Sequence, residues 1–260
     1  MPNCPILAAS LVAASGVLSL ASADAADNQC RSEHFRDADY TVCSFDPGTI
    51  GLSIFWQDAQ GAPFRTFSAL ADELAEQDRV LAFAMNGGMY QANLHPVGLL
   101  IVEGKQLKHA NTVDIEGDVV PNFYKKPNGV FYIADGTAGV LETEHFLAKR
   151  PDAQFATQSG PMLVVNGEIH PAFIADSPYL NQRNGVCASK PTEVHFAISD
   201  GAVNFDDFAH FFRDRLGCDN ALFLDGGSAP GIYAPELGRN DLPGHGGYGP
   251  IIGVVKETPR

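Results

Sequence analysis

Val130-Phe131-Tyr132-Ile133-Ala134-Asp135-Gly136 is a short apolar run that stops at an acidic residue and a glycine. A run of this length, closed by a pair that tolerates positive φ, reads as a β-strand ending in a tight turn. The same design recurs on both sides of it. Leu99 to Val102 runs into Glu103-Gly104, and Met162 to Val165 runs into Asn166-Gly167. Val194, Phe196 and Ile198 alternate before Asp200-Gly201. The runs Val80 to Ala84 and Ala221 to Leu224 lead to Asn86-Gly87-Gly88 and Asp225-Gly226-Gly227. Helices are few. Ser68 to Gln77 carries Leu70 and Leu74 one turn apart. Asn204 to Leu216 has an N-cap in Asn204, acids at 206 and 207, a stripe of Phe205, Phe208, Phe212 and Leu216, and a stop at Gly217. Many strands with a few inserted helices predict an α+β domain with a largely antiparallel or mixed sheet. A doubly wound sheet would need sustained β/α alternation.

The chain has 260 residues, 45% of them hydrophobic, enough for one sizeable core without metal or cystine staples. Its net charge of −14 argues against binding a nucleic-acid backbone. From Ile6 to Leu20 every residue is apolar or small, and two small-x-small sites follow at 21–23 and 23–25. Residues 1–25 therefore read as an export signal, leaving one domain, 26–260, periplasmic or secreted and without a membrane span. Four cysteines remain, which allow three pairings. Cys30–Cys43 and Cys187–Cys218 are favoured, because the first two are close in sequence and the second two flank one β/α unit.

Candidate chemistry sits where polar residues are freed by neighbouring glycines at strand ends. These are Asn86-Gly87-Gly88, Ser159-Gly160, Arg183-Asn184-Gly185 and Asp225-Gly226-Gly227-Ser228. Each element alone is a common turn; their repetition suggests loops converging on one site. Ser228 lacks a nucleophile elbow, since Pro230 stands in the final glycine's place. No H-E-x-x-H occurs, so neither a metal nor a cofactor is called for, with only an oxygen-ligated Ca²⁺ left open.

NGGMY (86–90), KPNGVFY (126–132), SGPMLVVNGEI (159–169), RNGV (183–186), AISDG (197–201) and LFLDGGS (222–228), in this order, resemble the phosphodiester glycosidases. The resemblance spans roughly residues 86–255. It implies a hydrolase acting on a sugar joined through C1 to a phosphodiester, with Asn86, Arg183, Asp225, Gly226 and Gly227 lining the active site. Ser228-Ala229-Pro230 departs from the further glycine and paired serines that the family often shows there.

The residues suit that chemistry. A carboxylate can stabilise or attack an oxocarbenium-like centre, for which Asp225 is the candidate. A phosphate monoester, with a second pKa of about 6, leaves with little protonation. Arg183 is expected to take up its charge, with Asn86 and the amides of the two Gly-Gly turns holding oxygens. Asp200 and Glu168 are candidates for a second carboxylate that activates water. Lys126 is a further candidate phosphate contact, against the reading of a solvated charge beside Pro127. The competing readings are a binding module that holds sugar phosphates or envelope polymers without cleaving them, and a structural envelope protein with no common pocket.

Overall fold

The computed structural model describes Met1, residues 29–117 and residues 119–258. Apart from Met1, the expected export signal lies outside the described residues. Among the described residues the strands form three sheets, and every strand pairing is antiparallel. The largest sheet has seven strands, in the order β1 (Cys30–Phe35), β2 (Ala38–Phe45), β13 (Glu193–Ser199), β12 (Arg183–Lys190), β14 (Ala221–Gly226), β10 (Met162–Val165) and β11 (Glu168–Ile169). A five-stranded sheet runs β16 (Arg239–Asn240), β15 (Ile232–Ala234), β4 (Arg79–Asn86), β17 (Ile251–Glu257) and β3 (Gly51–Phe55). A second five-stranded sheet runs β6 (Lys105–Lys108), β5 (Leu100–Val102), β9 (Phe155–Ser159), β7 (Gly129–Ala134) and β8 (Thr137–Glu142).

The three sheets share one core. The Phe196 ring of β13 lies 5.1 Å from Phe83 of β4 and 5.7 Å from Phe131 of β7, so one side chain touches all three layers. Around it, alternate residues of each strand point inward: Val194, Phe196 and Ile198; Phe83 and Met85; Phe131 and Ile133. Burying each such side chain contributes about 2 kcal/mol.

The turns follow the sequence reading at three places and depart at one. Glu103 and Gly104 (φ 50° and 73°), Asp135 and Gly136 (48° and 70°), and Asn166 and Gly167 (50° and 83°) make two-residue hairpins with both φ positive. Asp200-Gly201 makes no such hairpin; β13 leads instead into the approach to a helix.

Helix α1 (Phe67–Ala75) starts a residue earlier than expected because Thr66 caps it, its Oγ1 accepting the Ala69 N–H at 3.1 Å. It buries Phe67, Leu70 and Leu74 against β4 and β17. Helix α2 (Thr143–Lys149) was not legible in the sequence; Phe146 anchors it against Leu99, Val130 and Ala156. Helix α3 (Phe205–His210) is capped by Asn204 as expected, with the Asp207 N–H at 2.8 Å from its Oδ1. The chain then widens into a π-turn at Phe211–Arg215, which buries Phe211 as well as Phe212.

Both expected disulfides are present. Cys30–Cys43 joins register partners of β1 and β2, and Cys187–Cys218 ties β12 to the segment before β14. Closing loops of 13 and 31 residues is worth about 3 and 4 kcal/mol in a chain-entropy view. Among the described residues no helix is long and apolar enough to cross a membrane.

Candidate active site

The site is built at the ends of β12, β14 and β4. Asn184 of β12 pairs Asp225 of β14, but Gly185 pairs Phe223, so Leu224 is an extra, bulged residue. Phe223 packs toward α3, whereas Leu222 and Leu224 face the shared core. Regular alternation would send Asp225 to the Phe223 face. The bulge places it instead opposite Asn184, on the core side, a use to which such irregularities are often put.

Asn184 then locks two groups. Its Oδ1 accepts the Asp225 backbone N–H at 3.0 Å, and its Nδ2 donates to Asn86 Oδ1 at 2.6 Å. Asn86 Oδ1 also accepts the Gly231 N–H at 3.0 Å. The Asn86 amide is therefore oriented, and its Nδ2 is buried with no acceptor. The Tyr90 hydroxyl is a second buried donor without a partner among the described residues. Leaving such groups unpaired costs about 1–3 kcal/mol each, so a buried water or a shift of these side chains completes the structure. Asn86, expected to hold a substrate oxygen, is fully buried and lies behind the cavity wall rather than in it.

A cavity of about 420 Å³ opens here, lined among others by Tyr90, Asn122, Tyr124, Asp225, Gly226 and His245. The Asp225 carboxyl receives one internal hydrogen bond, from the Gly226 N–H at 2.8 Å. Burial pushes its pKa up to about 7, only partly offset by that N–H. Burial, and then the Asp225 charge, push the Tyr90 hydroxyl well above its ordinary value. His245 stacks on Tyr90 with centroids 5.6 Å apart, and its Nδ1 lies 3.3 Å from Ser228 Oγ at the rim.

Several expected site residues lie outside this cavity. Arg183 is not in this cavity. It pairs Gly226 on the opposite face of the sheet, where its guanidinium covers Phe205 at 3.7 Å and lines a neighbouring cavity. Ser159 is consumed internally, donating to Leu224 O at 2.7 Å and accepting the Met89 N–H. Gly160 allows close packing, since a Cβ there would sit 2.6 Å from Asn128. The expected amide donors are largely taken: Gly87 N–H by Pro250 O, Gly226 N–H by Asp225 and Gly227 N–H by Gln182 O. Gly88 is needed for its φ of 127°.

Neither candidate for a second carboxylate reaches the cavity. Asp200 accepts from Thr41 Oγ1 and from Arg239 Nη1 at 2.7 Å, and Glu168 is exposed on the β10–β11 hairpin. Lys126 is ion-paired with Asp114 at 2.6 Å, while its neighbour Lys125 faces the cavity of Arg183. Tyr90, Tyr124 and His245 were missed. His245 sits in Gly244-His245-Gly246-Gly247, the same glycine-flanked pattern that singled out Asp225, so that signal was available.

The profile of the phosphodiester glycosidase family matches residues 80–254. The uncharacterized protein YigE of Escherichia coli is 37% identical over 187 residues, covering 72% of this chain and 70% of that protein. Among solved structures, the fold is similar to the catalytic domain of zebrafish N-acetylglucosamine-1-phosphodiester alpha-N-acetylglucosaminidase, auto-inhibited there by its pro-peptide. The TM-score is 0.59 at 16% identity, over 89% of this chain and 85% of that one. A hypothetical protein from Synechocystis is similar with a TM-score of 0.51 at 14% identity, over 87% of this chain and 61% of that one. These two likenesses are of fold.

Proposed function

The chain belongs to the phosphodiester glycosidase family, and we propose that it is an exported hydrolase that cleaves the C1–O bond of a sugar-1-phosphodiester. One observation carries this reading: Asp225, a carboxyl with no ion-pair partner among the described residues, shares a cavity with the Tyr90 ring, whose hydroxyl is buried just behind the wall and has no partner among those residues. A sugar supplies what this cavity lacks. Its hydroxyls can accept from Tyr90 once the ring turns its buried hydroxyl toward the cavity, and a positively charged anomeric carbon is the partner withheld from Asp225.

In the proposed reaction the ionised Asp225 faces C1 and stabilises or captures the developing oxocarbenium. The C1–O bond breaks with its electron pair going to the phosphate oxygen. Water supplies a hydroxyl to C1, and its remaining proton goes to His245 or solvent. The products are the free sugar and a phosphate monoester. Among the described lining residues Asp225 is the only carboxylate, which suits a leaving group that needs little or no protonation. Asn184 acts as a positioning residue, since it fixes the Asp225 backbone and the Asn86 amide together. Two disulfides support a working place outside the reducing cytosol, periplasmic or secreted.

The test is a small panel of sugar-1-phosphodiesters, UDP-N-acetylglucosamine among them, incubated with the wild type and with Asp225→Ala. Sugar release by the wild type alone, rising as the pH passes about 7, is the expected result. Tight binding without turnover, unchanged in Asp225→Asn, would instead make the protein a binding module.

A further inference from the structure

Beside the Asp225 cavity lies a second one, of about 510 Å³, lined among others by Asn122, Lys125, Phe173, Tyr179, Arg183 and Phe205. Asn122 lines both, so the two adjoin. Charge in the second cavity is one-sided. Arg183 is only 3% exposed, and its guanidinium carbon lies 3.7 Å from the centroid of the Phe205 ring. Lys125 Nζ lies 5.8 Å from the same centroid. None of the lining residues is a carboxylate, and among the described residues neither cation makes an ion pair.

Two like charges drawn together out of water repel each other and lose hydration. Accordingly the Lys125 pKa is pushed down, by burial first and by the Arg183 charge second. In a chain with a net charge of −14 a nearby acid would be the ordinary remedy, and none lines the cavity. Donors also remain over. Arg183 spends Nε on Val203 O at 2.9 Å and Nη2 on Tyr179 O at 3.1 Å, leaving Nη1 without a hydrogen bond among the described residues. Lys125 gives one hydrogen bond, to Asn122 Oδ1 at 3.1 Å, out of three it can make.

We propose that Lys125 and Arg183 bind the phosphate monoester released by the reaction, so that the leaving group departs past Asn122 into this second cavity. The inference rests on the hydrolase reading for its source of ligand. A diester phosphate carries one negative charge and a monoester about −1.5 to −2 at neutral pH, so two cations favour the product over the substrate. The protein is therefore inhibited by its own phosphorylated product. Phe173 and Tyr179 give the organic part of that product an aromatic wall.

The experiment is calorimetric titration of wild type, Lys125→Gln and Lys125→Arg with phenyl phosphate and with inorganic phosphate. Phenyl phosphate is expected to bind the wild type more tightly than inorganic phosphate does. Lys125→Gln should weaken it at least about tenfold, the worth of one charge-assisted hydrogen bond, and Lys125→Arg should restore it. The inference is overturned if phenyl phosphate does not bind at about 10 mM, if Lys125→Gln binds it as well as the wild type, or if inorganic phosphate binds equally. Binding is read here without turnover. Phosphate binding by a protein that hydrolyses nothing would sink the hydrolase and leave this site; hydrolysis without product binding would do the reverse.

Discussion

Asp200 and Asp225 stand at the ends of neighbouring parts of one sheet, and each is followed by glycine. Asp200 is met by the Thr41 hydroxyl at 3.0 Å and by the Arg239 guanidinium at 2.7 Å, and Arg239 is itself shared with Asp241 at 2.6 Å. Among the described residues Asp225 is given one backbone N–H and no cation, and burial lifts its pKa to about 7. The dipeptide is the same in both places. What differs is the partner supplied at one and withheld at the other, and a buried acid left waiting is a candidate for chemistry where a paired one is a fastener.

The sharpest way to break that contrast is to remove each carboxylate in turn. Asp225→Asn is expected to lower kcat/KM on a sugar-1-phosphodiester by about 10⁴-fold, the scale seen when a central catalytic group is removed. Asp200→Asn should change it by less than about threefold, as for a half-exposed ion pair. Equal losses in steady-state kinetics would erase the distinction. A smaller effect probes the vacancy around Asp225: Tyr90→Phe should cost about 10²-fold in kcat, the usual worth of a preorganised donor, and no loss would leave Tyr90 outside the site.

A further effect is on stability, and its sign is informative. Because the folded pKa of Asp225 is raised from 3.8 to about 7, the stability that its protonated form gives is whole below about pH 4 and lost as the pH rises past about 7. Asp225→Asn should therefore unfold at higher urea than the wild type at pH 8, by up to about 4 kcal/mol, and at the same urea near pH 4. Asp200→Asn should lose about 1 kcal/mol at pH 8. A destabilised Asp225→Asn at pH 8 would mean that the carboxylate is well solvated or paired after all.

Much of the framework was legible because its causes are local. Glu103-Gly104, Asp135-Gly136 and Asn166-Gly167 take positive φ through chemistry carried by the two residues themselves, and Asn204 caps α3 through its own side chain. Both disulfides followed from spacing. The site was legible only in part, because its causes are not local. Asn86 and Asp225 were singled out by their glycines, but that Asp225 faces away from Arg183 depends on a ladder irregularity at Leu224 that leaves no mark on an apolar run. Period-two reasoning also could not tell Lys125 from Lys126, since their roles depend on which loop residue meets Asp114 and which meets Asn122. Helix α2 leaves no sequence signal because seven residues carry too little periodicity.

The extra residue in β14 has a consequence for how this protein can change. Were the ladder regular from Gly185–Phe223 onward, Asp225 would come to lie across from Arg183, and acid and guanidinium would neutralise each other. The bulge works as an insulator, holding opposite charges on two sides of a single layer of backbone. Arg183 has no part in setting the acidity of Asp225. On the proposed reading, residues around the guanidinium can be exchanged to admit a different leaving group without retuning the acid proposed to attend the sugar.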